Sequence, residues 1–91
     1  MVLISYDIAN DKKRARFNKY IKKFGHMIQY SVYEIENSNR VLNNIIADLN
    51  NKFVKTFDET DSVYIFKLSD SCQTIRFGYA RHEENDLLIV E

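Results

Sequence analysis

Val2-Leu3-Ile4-Ser5-Tyr6-Asp7-Ile8-Ala9-Asn10-Asp11-Lys12-Lys13-Arg14-Ala15-Arg16-Phe17-Asn18-Lys19-Tyr20-Ile21-Lys22-Lys23-Phe24-Gly25 is the stretch on which the fold turns. Its first seven residues alternate as a strand does, with Val2, Ile4, Tyr6 and Ile8 on one face and Leu3, Ser5 and Asp7 on the other. Asp7 therefore points away from the more apolar face. Asn10 or Asp11 is suited to cap a helix running to about Phe24, with Gly25 just past its end as the stop. Phe17, Tyr20, Ile21 and Phe24 recur at i, i+3, i+4 and i+7, an apolar stripe fit to lie on a sheet. The rest of that helix is cationic: Lys12, Lys13, Arg14, Arg16, Lys19, Lys22 and Lys23.

Outward from this junction, His26 to Glu36 is rich in β-branched and aromatic residues, and reads either as one kinked strand or as two strands divided near Tyr30-Ser31. Ser38 or Asn39 caps a second helix, in which Leu42, Ile45, Ile46, Leu49 and Phe53 have helical spacing. Ser62 to Leu68 forms a strand and Gln73 to Ala80 another. After a polar connector from Arg81 to Asp86, Leu87 to Val90 forms a short last strand. This order predicts an α+β fold, a ferredoxin-like sandwich with two helices on one face of a mainly antiparallel sheet. Such a sheet keeps a bare second face. A second copy of the chain is a natural cover for that face or for an edge, and the terminal strand is free to be donated to it.

The 91 residues make one domain spanning residues 1–91, with a small core, because a chain of this size buries only about 60% of its unfolded surface. The absence of proline and the presence of only two glycines argue against an internal linker. With 45% hydrophobic and 29% charged residues the composition is that of a globular protein, not a disordered one. A single cysteine, Cys72, excludes an internal disulfide and a multi-cysteine zinc site, and fits a reducing compartment. No apolar run approaches the roughly 18 residues of a membrane-spanning helix, and the start lacks signal-peptide character, so the expected location is the cytoplasm and no membrane partner is implied. Net charge is zero but unevenly placed: residues 1–56 carry ten Lys/Arg against five Asp/Glu, and residues 57–91 carry three against eight. Affinity for a polyanion must then come from a local basic surface.

Among residues able to carry chemistry, Asp7 leads, as a carboxylate where a strand meets a basic helix. It serves equally as a turn cap. One carboxylate is a poor metal site, yet Mg2+ keeps most of its waters and uses one or two carboxylates plus phosphate oxygens, so two copies of Asp7 in a dimer would suffice, with Asn10 and Asp11 assisting through water. Arg14 and Arg16 suit phosphate through paired hydrogen bonds, against the plainer reading of a solvated helix face. Tyr6, Tyr30 and Tyr33 are fit to stack on bases but as strand aromatics more often belong to a core. His26 and His82 have no second ligand at metal spacing, and Cys72 reads as a small packed residue. No Walker loop, dinucleotide fingerprint or nucleophile elbow is present.

Tyr6-Asp7-Ile8, then Asp11 with Arg14 and Arg16, then Gly25 followed by Gln29-Tyr30-Ser31-Val32-Tyr33-Glu34, closely resembles the CRISPR-associated protein two family, the small subunit of the spacer-acquisition machinery. Length, element order, the Asp61-to-Leu68 strand and Cys72 fit as well. The resemblance implies a ferredoxin-like homodimer in which the two Asp7 residues face each other near a magnesium ion. It further implies that this homodimer bridges two dimers of the integrase subunit, as a heterohexamer, and holds duplex DNA. Members are described as metal-dependent endonucleases or endoribonucleases, on double-stranded DNA or single-stranded RNA. By match, Asp7 binds metal and is catalytic, Arg14 and Arg16 contact phosphate, and Tyr6, Ser31 and Tyr33 line the site; Lys12 and Lys13, of the same basic helix start, are further nucleic-acid-binding candidates.

Two positions depart from the family pattern. Met27 stands where an Arg is common, two residues before Gln29, and Tyr33 stands where Phe is usual. The first removes a cation that would assist cleavage. Three readings follow: a DNA-bridging, integrase-binding adaptor whose basic helices meet the duplex backbone; a metal-dependent endoribonuclease or endonuclease in which Asp7 positions magnesium, with a stand-alone toxin-like endoribonuclease of the same fold as a related version; and a ligand-sensing ferredoxin-like domain, which leaves Asp7 and the arginines unexplained.

Overall fold

The computed structural model of the chain describes residues 1–75, 77 and 78. Strand β1 (Val2–Asp7) leads into helix α1 (Asp11–Ile21). Strands β2 (Gly25–Gln29) and β3 (Val32–Ile35) follow, then helix α2 (Asn39–Asp48) and strand β4 (Ser62–Lys67). The four strands form one antiparallel sheet in the order β2-β3-β1-β4, the ferredoxin-like arrangement.

The burial pattern of β1 repeats the sequence alternation. Val2, Ile4, Tyr6 and, just beyond the strand, Ile8 are buried, and Asp7 is exposed. Both helices cover that one face: Phe17 and Ile21 from α1 and Leu42 and Ile45 from α2 join Tyr33 and Ile35 in a single core. Each fully buried side chain of this kind contributes roughly 2 kcal/mol of transfer free energy. The centre of the core is aromatic. Phe17 meets Tyr6 edge to face at 5.0 Å and Phe53 at 5.2 Å, so one ring bridges the sheet and the second helix.

Both helix starts are capped as their sequences require. Asn10 Oδ1 accepts from the Lys13 backbone N–H, and Ser38 Oγ accepts from that of Val41. The far end of α2 widens into a π-helical turn over Leu49–Phe53 and then a 3-10 turn over Val54–Thr56. Within it Leu49 and Phe53 remain buried, while Ile46, expected on the apolar stripe, is half exposed.

Helix α1 ends at Ile21, three residues short of the expected end, and Gly25 is not its stop. Gly25 opens β2, paired with Ile35, where a Cβ would lie 2.0 Å from the Glu34 carbonyl oxygen. Close backbone approach, not a left-handed turn, demands glycine there. The His26-to-Glu36 stretch resolves into two strands joined by Tyr30 and Ser31. Ser31 adopts a φ of 63°, and its carbonyl accepts from the Tyr6 backbone N–H at 3.0 Å, which ties the hairpin turn to β1. A non-glycine residue held in this region costs about 1–2 kcal/mol, offset here by that tie.

Residues 73–75, 77 and 78 of the expected Gln73-to-Ala80 strand lie in no strand. The terminal Leu87-to-Val90 strand, its connector and His82 lie outside the described residues. Cys72 is exposed, contrary to the reading of a packed residue, as are its described neighbours from Ser69 to Ile75. Among the described residues, no helix is long and apolar enough to cross a membrane.

Candidate functional site

Asp7 lies at the end of β1 opposite Ser62 of β4, on the face the helices leave open. Along that face the paired rows are Leu3 with Phe66, Ser5 with Tyr64, and Asp7 with Ser62. Tyr64 and Phe66 are 61% and 45% exposed and their rings stack at 6.1 Å, a large apolar surface without a partner among the described residues. The Asp7 carboxylate makes no hydrogen bond or ion pair among those residues, so it is not the turn cap that its position allowed.

That work falls to Asn10 and Asp61. Asp61 Oδ1 accepts from the Ala9 backbone N–H at 3.1 Å, and its Oδ2 accepts from that of Asp58 at 2.8 Å. The hydrogen bonds from Asp58 and Ala9 stabilise the carboxylate and hold the Asp61 pKa below its ordinary value. Asp11 is engaged with Arg14. Of the carboxylates near the β1–α1 junction, Asp7 alone is without a partner among the described residues. Among the described residues no three His, Cys, Asp or Glu side chains cluster in a way that could hold a metal ion. Among the described residues the open face thus offers one unengaged carboxylate, which suits a hard, largely hydrated cation such as magnesium only when phosphate oxygens or a second chain complete the shell.

The four cations singled out on α1 divide sharply. Arg14 turns inward toward the junction, donating from Nη1 to the carbonyls of Ile8 at 3.0 Å and Ala9 at 3.3 Å and from Nη2 to Asp11. The Asp11 hydrogen bond raises the Arg14 pKa above its ordinary value. Lys13 donates to the Thr56 carbonyl and lies 3.6 Å from Asp58. Both bind their own chain, as supports of the loop rather than as open phosphate ligands. Lys12 and Arg16 are exposed, Arg16 resting with its guanidinium carbon 5.7 Å from the centre of the Phe53 ring. With Lys19, also exposed, they fall at i, i+4 and i+7, one outward stripe on the helix. Lys19 was legible as part of the charge run, but its place in the stripe emerges only when Arg14 and Lys13 are removed from it.

Tyr6, Arg14 and Ser31 meet on the helix-covered side, around an open cavity of about 280 Å3 between α1 and the β2–β3 turn. Tyr33 is buried and reaches the same group through Asn18, whose Nδ2 donates to the hydroxyls of Tyr6 at 2.9 Å and Tyr33 at 3.1 Å. Met27 stands in the cavity wall and Tyr30, 73% exposed, at its rim. Asp7 does not belong to this cavity. The site residues expected together are therefore split by the sheet: the carboxylate on the open face, the tyrosines and Arg14 on the other.

Compared with known protein families, residues 1–75 match the family described as CRISPR associated protein Cas2. The chain belongs to the Cas2 family. It is 36% identical over 75 residues to the CRISPR-associated endoribonuclease Cas2 2 of Methanospirillum hungatei, a match covering 79% of this chain and 76% of that one. It is 35% identical over 75 residues to the CRISPR-associated endoribonuclease Cas2 1 of Archaeoglobus fulgidus, covering 79% and 74%. The fold matches that of Streptococcus pyogenes Cas2 with a TM-score of 0.59 at 22% identity, covering 82% of this chain and 98% of that one. It also matches a hypothetical protein, TT1823, from Thermus thermophilus with a TM-score of 0.65 at 24% identity, covering 90% and 95%. The Cas2 match spans both faces described above, with Asp7 and the Tyr6 cavity inside it.

Proposed function

We propose that this Cas2 chain acts as a homodimer in spacer acquisition, bridging two dimers of the integrase subunit and holding duplex DNA, with a magnesium-dependent endonuclease or endoribonuclease activity centred on Asp7. The observation that carries this reading is the placement of Asp7, exposed and without a partner among the described residues, on the same open face as the Tyr64 and Phe66 rings. A second copy covering those rings buries apolar surface that water otherwise meets, and the same association brings two Asp7 carboxylates toward each other. Two carboxylates and the phosphate oxygens of a bound strand make the oxygen-only donor set that magnesium requires. Magnesium in such a site would polarise the phosphate and favour a nucleophilic water. Asp7 holds and orients; the outward stripe of Lys12, Arg16 and Lys19 supplies backbone attraction without reading sequence. The names of the Methanospirillum and Archaeoglobus relatives support cleavage of RNA as one activity, and a stand-alone endoribonuclease would need no integrase subunit.

The test is the Asp7→Asn protein, assayed with magnesium on single-stranded RNA and on duplex DNA, alongside sedimentation and copurification with an integrase subunit. The expected result is loss of cleavage with an intact dimer and intact capture of the integrase subunit. Unchanged cleavage removes the catalytic role of Asp7. A monomeric wild-type protein removes the two-fold site, and cleavage by a dimer that captures no integrase subunit favours the stand-alone enzyme.

A further inference from the structure

The cavity beside Tyr6 lies across the sheet from Asp7, and it is furnished for a ligand. The Tyr6 side chain is 5% exposed and its hydroxyl accepts from Asn18, which leaves the hydroxyl hydrogen without an acceptor among the described residues. The Asn18 amide spends its nitrogen on the two tyrosines, and its carbonyl oxygen has no donor there. A donor and an acceptor thus stand together in one wall. Met27 contributes an apolar wall, and the Tyr30 ring stands exposed at the mouth, next to the left-handed Ser31.

We propose that this cavity receives one unpaired nucleobase of a single-stranded nucleic acid, its polar edge against Tyr6 and Asn18 and its ring against Tyr30. The inference rests on the reading that nucleic acid is the partner. Base edges carry donors and acceptors side by side, as this wall does, and every base has a face that an aromatic ring can stack upon. Size agrees: about 280 Å3 is just under the range of about 300–1,000 Å3 typical of small-molecule sites, room for one flat heterocycle. A simple anion fits less well, because Asp11 stands in the same wall and already matches the charge of Arg14.

The test uses nucleosides without phosphate, namely adenosine, guanosine, cytidine and uridine in turn, titrated into the 15N-labelled full chain. At least one should shift the Asn18 side-chain amide and the backbone amides of Tyr30 and Ser31. Tyr30→Ala should weaken that affinity by about fivefold or more, and Tyr30→Phe should retain it. The proposal is overturned if no nucleoside moves these resonances, if inorganic phosphate alone moves them, or if Tyr30→Ala binds as the wild type does. Asp7→Asn should bind nucleosides normally, so loss of cleavage and loss of base binding report on different faces. Because Tyr30 is exposed, its variants should keep the wild-type amide spectrum elsewhere, and Tyr30→Phe supplies the check if Tyr30→Ala does not.

Discussion

Tyr6 and Asp7, adjacent in the chain, serve opposite faces of one sheet: the Tyr6 ring packs edge to face on Phe17 at 5.0 Å, and the Asp7 carboxylate stands on the open face opposite Ser62. The two-residue period of a strand makes this separation unavoidable. It also means that the two positions can be perturbed independently, one with consequences for folding and one without.

Asp7→Asn is isosteric, exposed and removes no hydrogen bond. Its unfolding free energy should stay within about 0.5 kcal/mol of the wild type in a urea titration, even as any magnesium-dependent cleavage disappears. A large drop in stability would instead mark Asp7 as a structural residue.

Phe17→Ala removes the ring that joins Tyr6 and Phe53, in a side chain that is fully buried. The expected cost is about 3–5 kcal/mol, a large share of the stability of a domain this small, read as a fall in the denaturation midpoint.

At Gly25 even a methyl group is too large, because it would overlap the Glu34 carbonyl. Gly25→Ala should destabilise by about 2 kcal/mol or more through forced separation of β2 from β3. A midpoint equal to that of the wild type would show that the edge strand yields freely.

Asp61 gives a pH signature. Its pKa is lowered in the fold by hydrogen bonds from the Asp58 and Ala9 backbone, so its contribution to stability is fully present above the ordinary aspartate value of about 3.9 and is lost as the pH falls through the lower folded value. Asp61→Asn should therefore narrow the stability difference between neutral and acid solution. Identical acid limbs for mutant and wild type would contradict this.

Arg14 and Arg16 should separate in the same way as Tyr6 and Asp7. Arg14→Ala, losing its bonds to the Ile8 and Ala9 carbonyls, should lower the thermal midpoint. Arg16→Ala should leave the midpoint nearly unchanged and reduce the salt slope of DNA binding by about one phosphate contact. Equal effects on both readouts would mean that the helix acts as one undivided charge.

Much of this was legible in the chain itself. Period-two alternation in Val2–Ile8 and the 3.6-residue recurrence of Phe17, Tyr20, Ile21 and Phe24 determined a strand, a helix and their contact face, and the same alternation placed Asp7 away from the core. Tyr30-Ser31 leaves the turn open, because it lacks the Asn-Gly or Asp-Gly pair that favours a two-residue hairpin loop, and the hydrogen bond from the Tyr6 N–H to the carbonyl of left-handed Ser31 joins residues distant in sequence. The purpose of Gly25 was hidden for a similar reason, as the clash that forbids a side chain comes from Glu34 on another strand.

The division among the basic residues belongs to the same class. Charge patterning by itself determined that α1 is cationic, but not that Arg14 and Lys13 are bound to their own chain, since their partners at Ile8, Thr56 and Asp58 are chosen by how the β1–α1 junction packs beside the end of α2. Local sequence thus determined the elements and which face each presents. Only the tertiary structure decided which polar groups remain unsatisfied once the elements meet, because hydrogen-bond partners distant in sequence compete for the same side chains, and those left without one are the groups a ligand can use.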